Sequence, residues 1–594
     1  MFRMVRYLKP YFWQSLLLVL SIAVQSWTTL QLPTYMSQII NNGIMANGGT
    51  GDYGFIFTTG AKMLVTALIS AGCAVLSSFL SAKIGSAVGR DIRNEFFSKV
   101  IAFSINEIDD FSTASLITRT TNDIATVQQT LIMMLSMMLR APLMATIAII
   151  NAVFLAPDMT WIIALAVVIM LTLTISIMAV VIPKFKIYQM LEDRINLETR
   201  ESLTGLRVIR AFNNQKREEK KFSKTNEKLR KLDVFASTLL SLQSPLMMLI
   251  FNGTSIAVIW IGINNITVDP TYLGKMIAFM QYATQVIMSF MFLTIIFVML
   301  PRASVSANRV NDVLKKHVSI KWKKKMAEEV GAPKIEFKHV DFAYGEAEEK
   351  VLKDISFVAE AGKTTAFIGS TGSGKSTLIN LISRMHDVTG GEVMVNGVDV
   401  RNYTKDELIS RIGLVPQRAF LFSGTVKSNI LFGVNTKDYT EVELDKRMRK
   451  AAEIAQAKEF VEKLPEKYNA PISEGGTNVS GGQRQRLSIA RAIAKEPEIY
   501  IFDDAFSALD MKTDKKLREA LEPVTKKAVT VIVAQRISTI KNADQIIVLD
   551  KGKMVGRGTH LELLADCEVY REITKSQLSD QEFAAEMKLA GRAK

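Results

Sequence analysis

Six apolar runs in the first 300 residues, at Tyr11–Leu32, Ala61–Ser81, Leu131–Leu155, Met159–Ile182, Thr238–Ile263 and Lys275–Leu300, restrict this chain more than any other feature. Each is long enough, at roughly 20 residues, to cross the hydrocarbon core of a bilayer as a helix. A lipid-embedded backbone must satisfy its own hydrogen bonds, so these runs demand a six-helix transmembrane domain. The first run is too long for the core of a signal peptide and no small-residue cleavage site follows it, so it reads as a retained span. Arg140 interrupts the third run, where a cation at mid-membrane costs about 2.5–3.5 kcal/mol. Its expected place is near one end of the span or facing a polar interior.

Charge orients the spans. Asn41–Thr59, Ala156–Asp158 and Asn264–Gly274 carry no Lys or Arg, whereas Lys184–Lys231 carries fourteen and Lys83–Arg119 holds Lys83, Arg90, Arg93, Lys99 and Arg119. The positive-inside rule then puts both termini and the two long loops in the cytoplasm, with the chain multi-pass in the cytoplasmic membrane. Arg3, Arg6 and Lys9 among apolar neighbours suit a short N-terminal helix lying on the inner leaflet. The net charge of +15 is thus a topology signal and requires no nucleic-acid partner. Two cysteines, Cys73 and Cys567, imply no disulfide framework.

Polar helical pattern continues on both sides of Glu107–Thr113 and Val208–Gln215, so each long loop should present a short helix below the membrane. Asp110, Phe111 and Phe212 are the candidate contacts there. Methionines crowd the third and sixth runs (Met133, Met134, Met137, Met138, Met144; Met276, Met280, Met288, Met291, Met299), and flexible thioethers suit varied apolar ligands.

After Leu300 the composition changes. Arg302–Lys325 is basic and helical, and Gly331–Pro333 reads as a hinge. Ile335, Phe337, Val340 and Phe342 alternate as in a strand, and buried-strand runs at Thr365–Ile368, Glu498–Phe502 and Val529–Ala534 are separated by helical stretches. This is a multi-domain chain: transmembrane domain over 1–305, linker over 306–333, α/β phosphate-loop ATPase domain over 334–578 and a polar tail over 579–594.

The second domain carries the chemistry. GSTGSGKS, Gly369–Ser376, fits G-x-x-x-x-G-K-[ST], a loop whose backbone N–H groups wrap phosphates. Ser370, Thr371, Gly372, Ser373, Gly374 and Thr377 belong to this cradle, Lys375 places a charge near the β and γ phosphates, and Ser376 can ligate Mg2+. Ser480, Gly481, Gly482 and Gln483 follow as SGGQ, and Asp503–Asp504 end an apolar strand. With these three pieces in this order, the chain resembles the ATP-binding cassette (ABC) family over essentially its whole length.

That resemblance implies further roles. Tyr344, 25 residues before the phosphate loop, matches the aromatic that stacks on adenine. Gln417, in LVPQ, matches the glutamine reaching Mg2+ and the attacking water, and Asp503 the carboxylate helping to hold Mg2+. SGGQ faces the γ-phosphate of ATP held by a second subunit, so two ATPs are sandwiched at a dimer interface and six spans with one cassette look like half a transporter. Two residues depart from the family pattern. Asp504 stands where Glu polarises water, and Gln535, in VIVAQRIST, stands where His contacts the γ-phosphate. Asp is one methylene shorter than Glu, and Gln carries no proton or charge at neutral pH. Beside an intact phosphate loop and SGGQ, the pair resembles the degenerate-site subunit of bacterial heterodimeric multidrug-type exporters.

The expectation is therefore an ATP- and Mg2+-dependent translocase with Asp504, Gln535 and Gln417 at the reacting end. Its partners are membrane lipid, hydrophobic or amphipathic small-molecule cargo, and a second half-transporter carrying the competent Glu and His. Lipid or peptide export on the same fold, and an ATP-gated regulator without flux, are the alternatives. Fusion of the two domains and short external loops argue against an importer.

Overall fold

The computed structural model describes residues 2–45, 51–266, 269–324, 332–345 and 349–593, without the side chains of residues 2–5, 186, 293–298, 592 and 593. Gly331, part of the expected hinge, lies outside them, as do residues 46–50, 267 and 268 of the two uncharged loops. The chain divides into one unit of Met1–Ile101 with Ser112–Lys316 and another of Ala102–Phe111 with His317–Lys594.

The first unit is helical. Its long helices are Phe12–Gln38, Tyr53–Ile101, a broken third helix over Thr113–Leu155, Thr160–Thr204, Gln215–Ile266 and Tyr272–Lys315. Among the described residues, five helices have the length and hydropathy to cross a membrane. The sixth expected span falls in Tyr272–Lys315, which includes residues 293–298. Tyr53–Ile101 has 49 residues, roughly 70 Å at 1.5 Å per residue, far beyond a hydrocarbon core of about 30 Å. Helices one, three, four, five and six each contain a proline: Pro33, Pro142, Pro183, Pro245 and Pro301. Packed neighbours make such prolines tolerable in lipid.

Small residues set the closest approach. A Cβ on Gly85 would lie 2.3 Å from Ile132 and one on Gly89 2.2 Å from Gln128, so the second and third helices meet where side chains are missing. Several polar groups inside the bundle are paired: the Tyr282 hydroxyl reaches the Leu30 carbonyl at 3.1 Å and Thr34 at 2.7 Å, and Asp123 accepts from Ser306 at 2.8 Å. Arg119–Asp123 and Met134–Met138 wind as π-helix, the second of them within the methionine-rich run of the third helix. Asp158, in the turn before the fourth helix, accepts from Asn265 at 3.1 Å and from Tyr272, tying three helix ends together.

The second unit is α/β. Its strands are β1 (Lys334–Phe342), β2 (Leu352–Glu360), β3 (Thr364–Gly369), β4 (Gly390–Val395), β5 (Val398–Asp399), β6 (Ile412–Val415), β7 (Gly424–Thr425), β8 (Pro471–Ile472), β9 (Ile499–Asp503), β10 (Val529–Val533), β11 (Gln545–Asp550) and β12 (Lys553–Gly558). The main sheet runs β12-β11-β3-β10-β9-β6, parallel apart from β12, and β2-β1-β4-β5 form an antiparallel sheet beside it. Every residue of β10 is buried, as expected of a parallel strand covered on both faces. Val533 pairs with Phe367 on one side and Asp503 on the other, so the carboxyl ends of β3, β10 and β9 share one row. Loops leaving such a row form the ligand crevice of an open α/β sheet.

The second unit also contains the short helix of the first long loop, Ile105–Phe111. Buried Glu107 accepts from the Ser104 N–H at 2.7 Å and the Ser319 N–H at 3.1 Å. The following segment is held by Arg384, which stacks on Trp322 at 4.5 Å and donates to the Lys321 carbonyl at 3.1 Å. Phe111 stacks on Phe103 at 6.1 Å, while Phe212, just after the helix Leu206–Ala211 of the first unit, is 74% exposed.

Candidate functional site

The loop leaving β3 turns on backbone that only glycine adopts readily. Gly372 has φ +83° and Gly374 has φ +99°, and a Cβ on Gly374 would sit 2.6 Å from Leu352. Gly374 caps the helix Lys375–Ile382, whose first N–H groups face the loop's concavity, a natural anion cradle. Ser370, Thr371 and Ser376 are exposed, whereas Ser373 and Thr377 are buried. Lys375 Nζ donates to the carbonyls of Gly369 at 2.8 Å and Ser370 at 2.7 Å. Burial lowers its pKa, a shift opposed by Asp503 and Asp504.

Those carboxylates end β9. Asp503 is hydrogen-bonded by Ser376, and its pKa is raised by burial first and by the Asp504 charge second. Asp504 is held at φ +45°, a left-handed conformation that Asp tolerates better than most side chains. Its N–H donates to the Val533 carbonyl at 2.8 Å, and its carbonyl accepts from Ser507 Oγ at 2.8 Å. Gln417, beyond β6, reaches its Oδ2 with Nε2 at 3.4 Å. Lys375, Ser376, Gln417, Asp503 and Asp504 are thus brought together, with Gln535 two residues beyond the Val533 carbonyl that anchors Asp504.

One hydroxyl, one amide oxygen and one carboxylate fit Mg2+, a hard cation that keeps much of its water and takes its other ligands from phosphate. Among the described residues no cluster of three His, Cys, Asp or Glu side chains could hold a metal. Tyr344 shares a 2.8 Å hydrogen bond with Thr377 and lies edge-on to Phe342 at 4.8 Å and His386 at 5.3 Å. The aromatic is therefore fixed to the phosphate-loop helix while 40% of it remains exposed.

SGGQ forms a separate arrangement. Ser480 and Gln483 make a capping box at the start of the helix Gly481–Lys495, with N···O distances of 2.9 and 3.3 Å. A Cβ on Gly481 would meet nothing within 4 Å, so its own chain does not require glycine there. Sequence reasoning missed the brace behind this helix. Gln485 donates to the Pro416 carbonyl at 3.4 Å, and Arg491 donates to the Phe420 and Asn429 carbonyls at 3.0 Å, joining SGGQ to the loop of Gln417. Those partners are more than sixty residues apart, with no local pattern to mark them.

Long apolar helices fused to a phosphate-loop ATPase define an ATP-powered membrane transporter. Residues 15–290 match the ABC transporter transmembrane region and residues 352–507 the ABC transporter family. An uncharacterized ABC transporter ATP-binding protein of Mycobacterium tuberculosis is 38% identical over 574 residues, covering 96% of this chain and 97% of that protein. An ATP-dependent lipid A-core flippase of Syntrophus aciditrophicus is 31% identical over 525 residues, covering 88% and 85%. A bacterial Atm1-family ABC exporter with ATP bound has the same fold, at a TM-score of 0.79 and 23% identity over 96% of this chain and 99% of that one. The chain belongs to the ABC transporter family. It is an ABC transporter in which an N-terminal transmembrane helical domain precedes an ABC ATPase domain.

Proposed function

We propose that this chain is one half of a heterodimeric exporter, with its ATPase domain and termini cytoplasmic, and that its own ATP site hydrolyses slowly. The observation carrying this reading is the substitution pattern: Asp504 and Gln535 flank one strand-end row beside a fully equipped phosphate loop. Asp504 meets Gln417 only at the outer limit of a hydrogen bond, 3.4 Å, and a misplacement of about 1 Å can cost on the order of a hundredfold in rate. Gln535 can hydrogen-bond a phosphate oxygen but supplies no proton at neutral pH.

Ser376, Asp503 and Gln417 would hold Mg2+, which neutralises charge on the transferring phosphate. Lys375 and the phosphate-loop N–H groups would hold ATP, with Tyr344 against the base. Ser480–Gln483 would act on ATP carried by the partner. The open space over Gly481 supports that role, since it admits a phosphate from outside the chain. The cargo is hydrophobic or amphipathic, taken up between methionine-rich third and sixth helices.

The test is turnover of the lone chain against the chain co-expressed with a second half carrying Glu and His. The lone chain should be a poor ATPase and the mixed complex a faster one. Equal rates would refute the pairing. Lipid export is the second reading, favoured by the 31% identity to a lipid A-core flippase. Flux of labelled lipid against amphipathic dye in proteoliposomes separates the two, and ATPase activity without either flux would point to a regulator.

A further inference from the structure

Two helices, Glu568–Gln577 at the end of the ATPase domain and Asp580–Ala593 in the polar tail, bury Tyr570, Thr574 and Ala590 against the ATPase core. Their contact with the strand-end row is specific. Gln577 Nε2 donates to the Gln535 carbonyl at 2.7 Å, and its Oε1 accepts from the Ile537 N–H at 2.9 Å. One amide side chain therefore spans the peptide groups on both sides of Arg536. The helix that follows, Ile537–Ile540, is held at its other end by the C-terminal helix, where Lys541 lies 3.9 Å from Glu586. Arg518 fixes its middle, donating to the carbonyls of Ser538 at 3.1 Å and Thr539 at 2.9 Å.

We infer that Gln577 is a positioning residue, which sets the backbone carrying Gln535 and so ties the C-terminal helices to nucleotide held on this chain's own phosphate loop. The segment 533–537 is anchored at both ends, and the Ala534 N–H also donates to the Phe367 carbonyl at 3.1 Å. At one end the Val533 carbonyl holds the Asp504 N–H, inside the site; at the other the Gln577 amide holds Gln535 and Ile537, outside it. Gln535 lies between them and is exposed. Displacement of the C-terminal helices acts on the backbone of Gln535 through these two hydrogen bonds. The inference rests on Gln535 contacting nucleotide.

The test uses the full chain in detergent or nanodiscs, with a fluorescent ribose-labelled ATP and Mg2+ as probe. Gln577→Ala should speed probe release by about three- to tenfold, the range expected for the net contribution of one neutral hydrogen bond transmitted to the site. Gln577→Glu keeps the acceptor for Ile537 but sets a carboxylate against the Gln535 carbonyl, and its effect should be at least as large. The decisive readout is a double-mutant cycle with Gln535→Ala, because residues acting through one another are non-additive. In the Gln535→Ala background, Gln577→Ala should add little.

Nucleotide-free melting midpoints show whether the variants fold. Unchanged release by both Gln577 variants in a folded chain overturns the inference, as does full additivity in the cycle. If Gln535→Ala alone leaves release unchanged, the nucleotide contact of Gln535 fails, and the inference with it. If Gln535→Ala acts while Gln577→Ala does not, only the inference falls.

Discussion

Burial and the adjacent Asp504 charge hold the Asp503 carboxyl above the usual carboxylate range, against the opposing pull of Ser376 and Lys375. Its charged form is disfavoured in the folded, nucleotide-free chain, so the stability it contributes is present below the ordinary value of 3.8 and lost as pH rises through the raised one. Asp503→Asn should therefore raise the nucleotide-free melting midpoint at pH 7 and abolish the further rise produced by ATP with Mg2+. Thermal scans with and without nucleotide check both halves, and a preserved Mg2+-dependent rise contradicts the assignment. Asp504 and Gln535 give a gain-of-function prediction. Asp504→Glu combined with Gln535→His in the lone chain should raise ATP turnover by on the order of ten- to a hundredfold, since the first restores reach and the second a proton carrier. Steady-state phosphate release measures it, and no gain would mean that neither residue limits the site. At this scale the sequence was informative where chemistry is local. Gly374 and Lys375 announce a phosphate cradle by identity alone, whereas Gln577 carries no local sign, because its partners lie about forty residues back along the chain.

The short helix Ile105–Phe111 is clasped by one side chain. Glu107 is 3% exposed and accepts the N–H groups of Ser104 and Ser319; burial pushes its pKa up, but the hydrogen bonds from Ser104 and Ser319 outweigh it and the net shift is downward. A lowered carboxylate contributes stability that is present above its ordinary value of 4.5 and lost as pH falls through the folded one. Glu107→Ala leaves buried donors without acceptors, at about 1–3 kcal/mol. Denaturant titration should show that loss, and an unchanged midpoint would contradict the clasp. Asp110 and Phe111 are the contact residues that the sequence suggests for this helix, and Glu107 is the residue that clasps it. Its partner Ser319 is 212 residues away, beyond the sixth helix, so periodicity could not pair them. The π-helical stretches at Arg119–Asp123 and Met134–Met138 were equally illegible, because five residues are too few to separate one helical period from another. The strands β3, β9 and β10 were readable because burial on both faces leaves an unbroken apolar run.

At the scale of the whole molecule, length, apolar runs and three motifs suffice to predict a membrane domain followed by an ATPase domain, since lipid and phosphate each impose a narrow chemistry. The proposed second subunit is read from the signature segment. Ser480 and Gln483 satisfy each other in a capping box, and the space above Gly481 is open. The central claim is that this chain's SGGQ serves a competent site on the partner while Asp504 sits in a slow one. The direct measurement is ATPase activity and transport of the assembled complex with substitutions in this chain only. Ser480→Ala and Gly481→Asp remove or block groups that settle the transferring phosphate, an interaction worth about 3–4 kcal/mol at the transition state. Both variants should lose most activity. Lys375→Ala should lose less, because it impairs occupancy of the slow site, and Asp504→Asn should keep a substantial part of turnover. Equal and near-complete loss in Asp504→Asn and Ser480→Ala would show that this chain's own site is catalytically competent, contradicting the account.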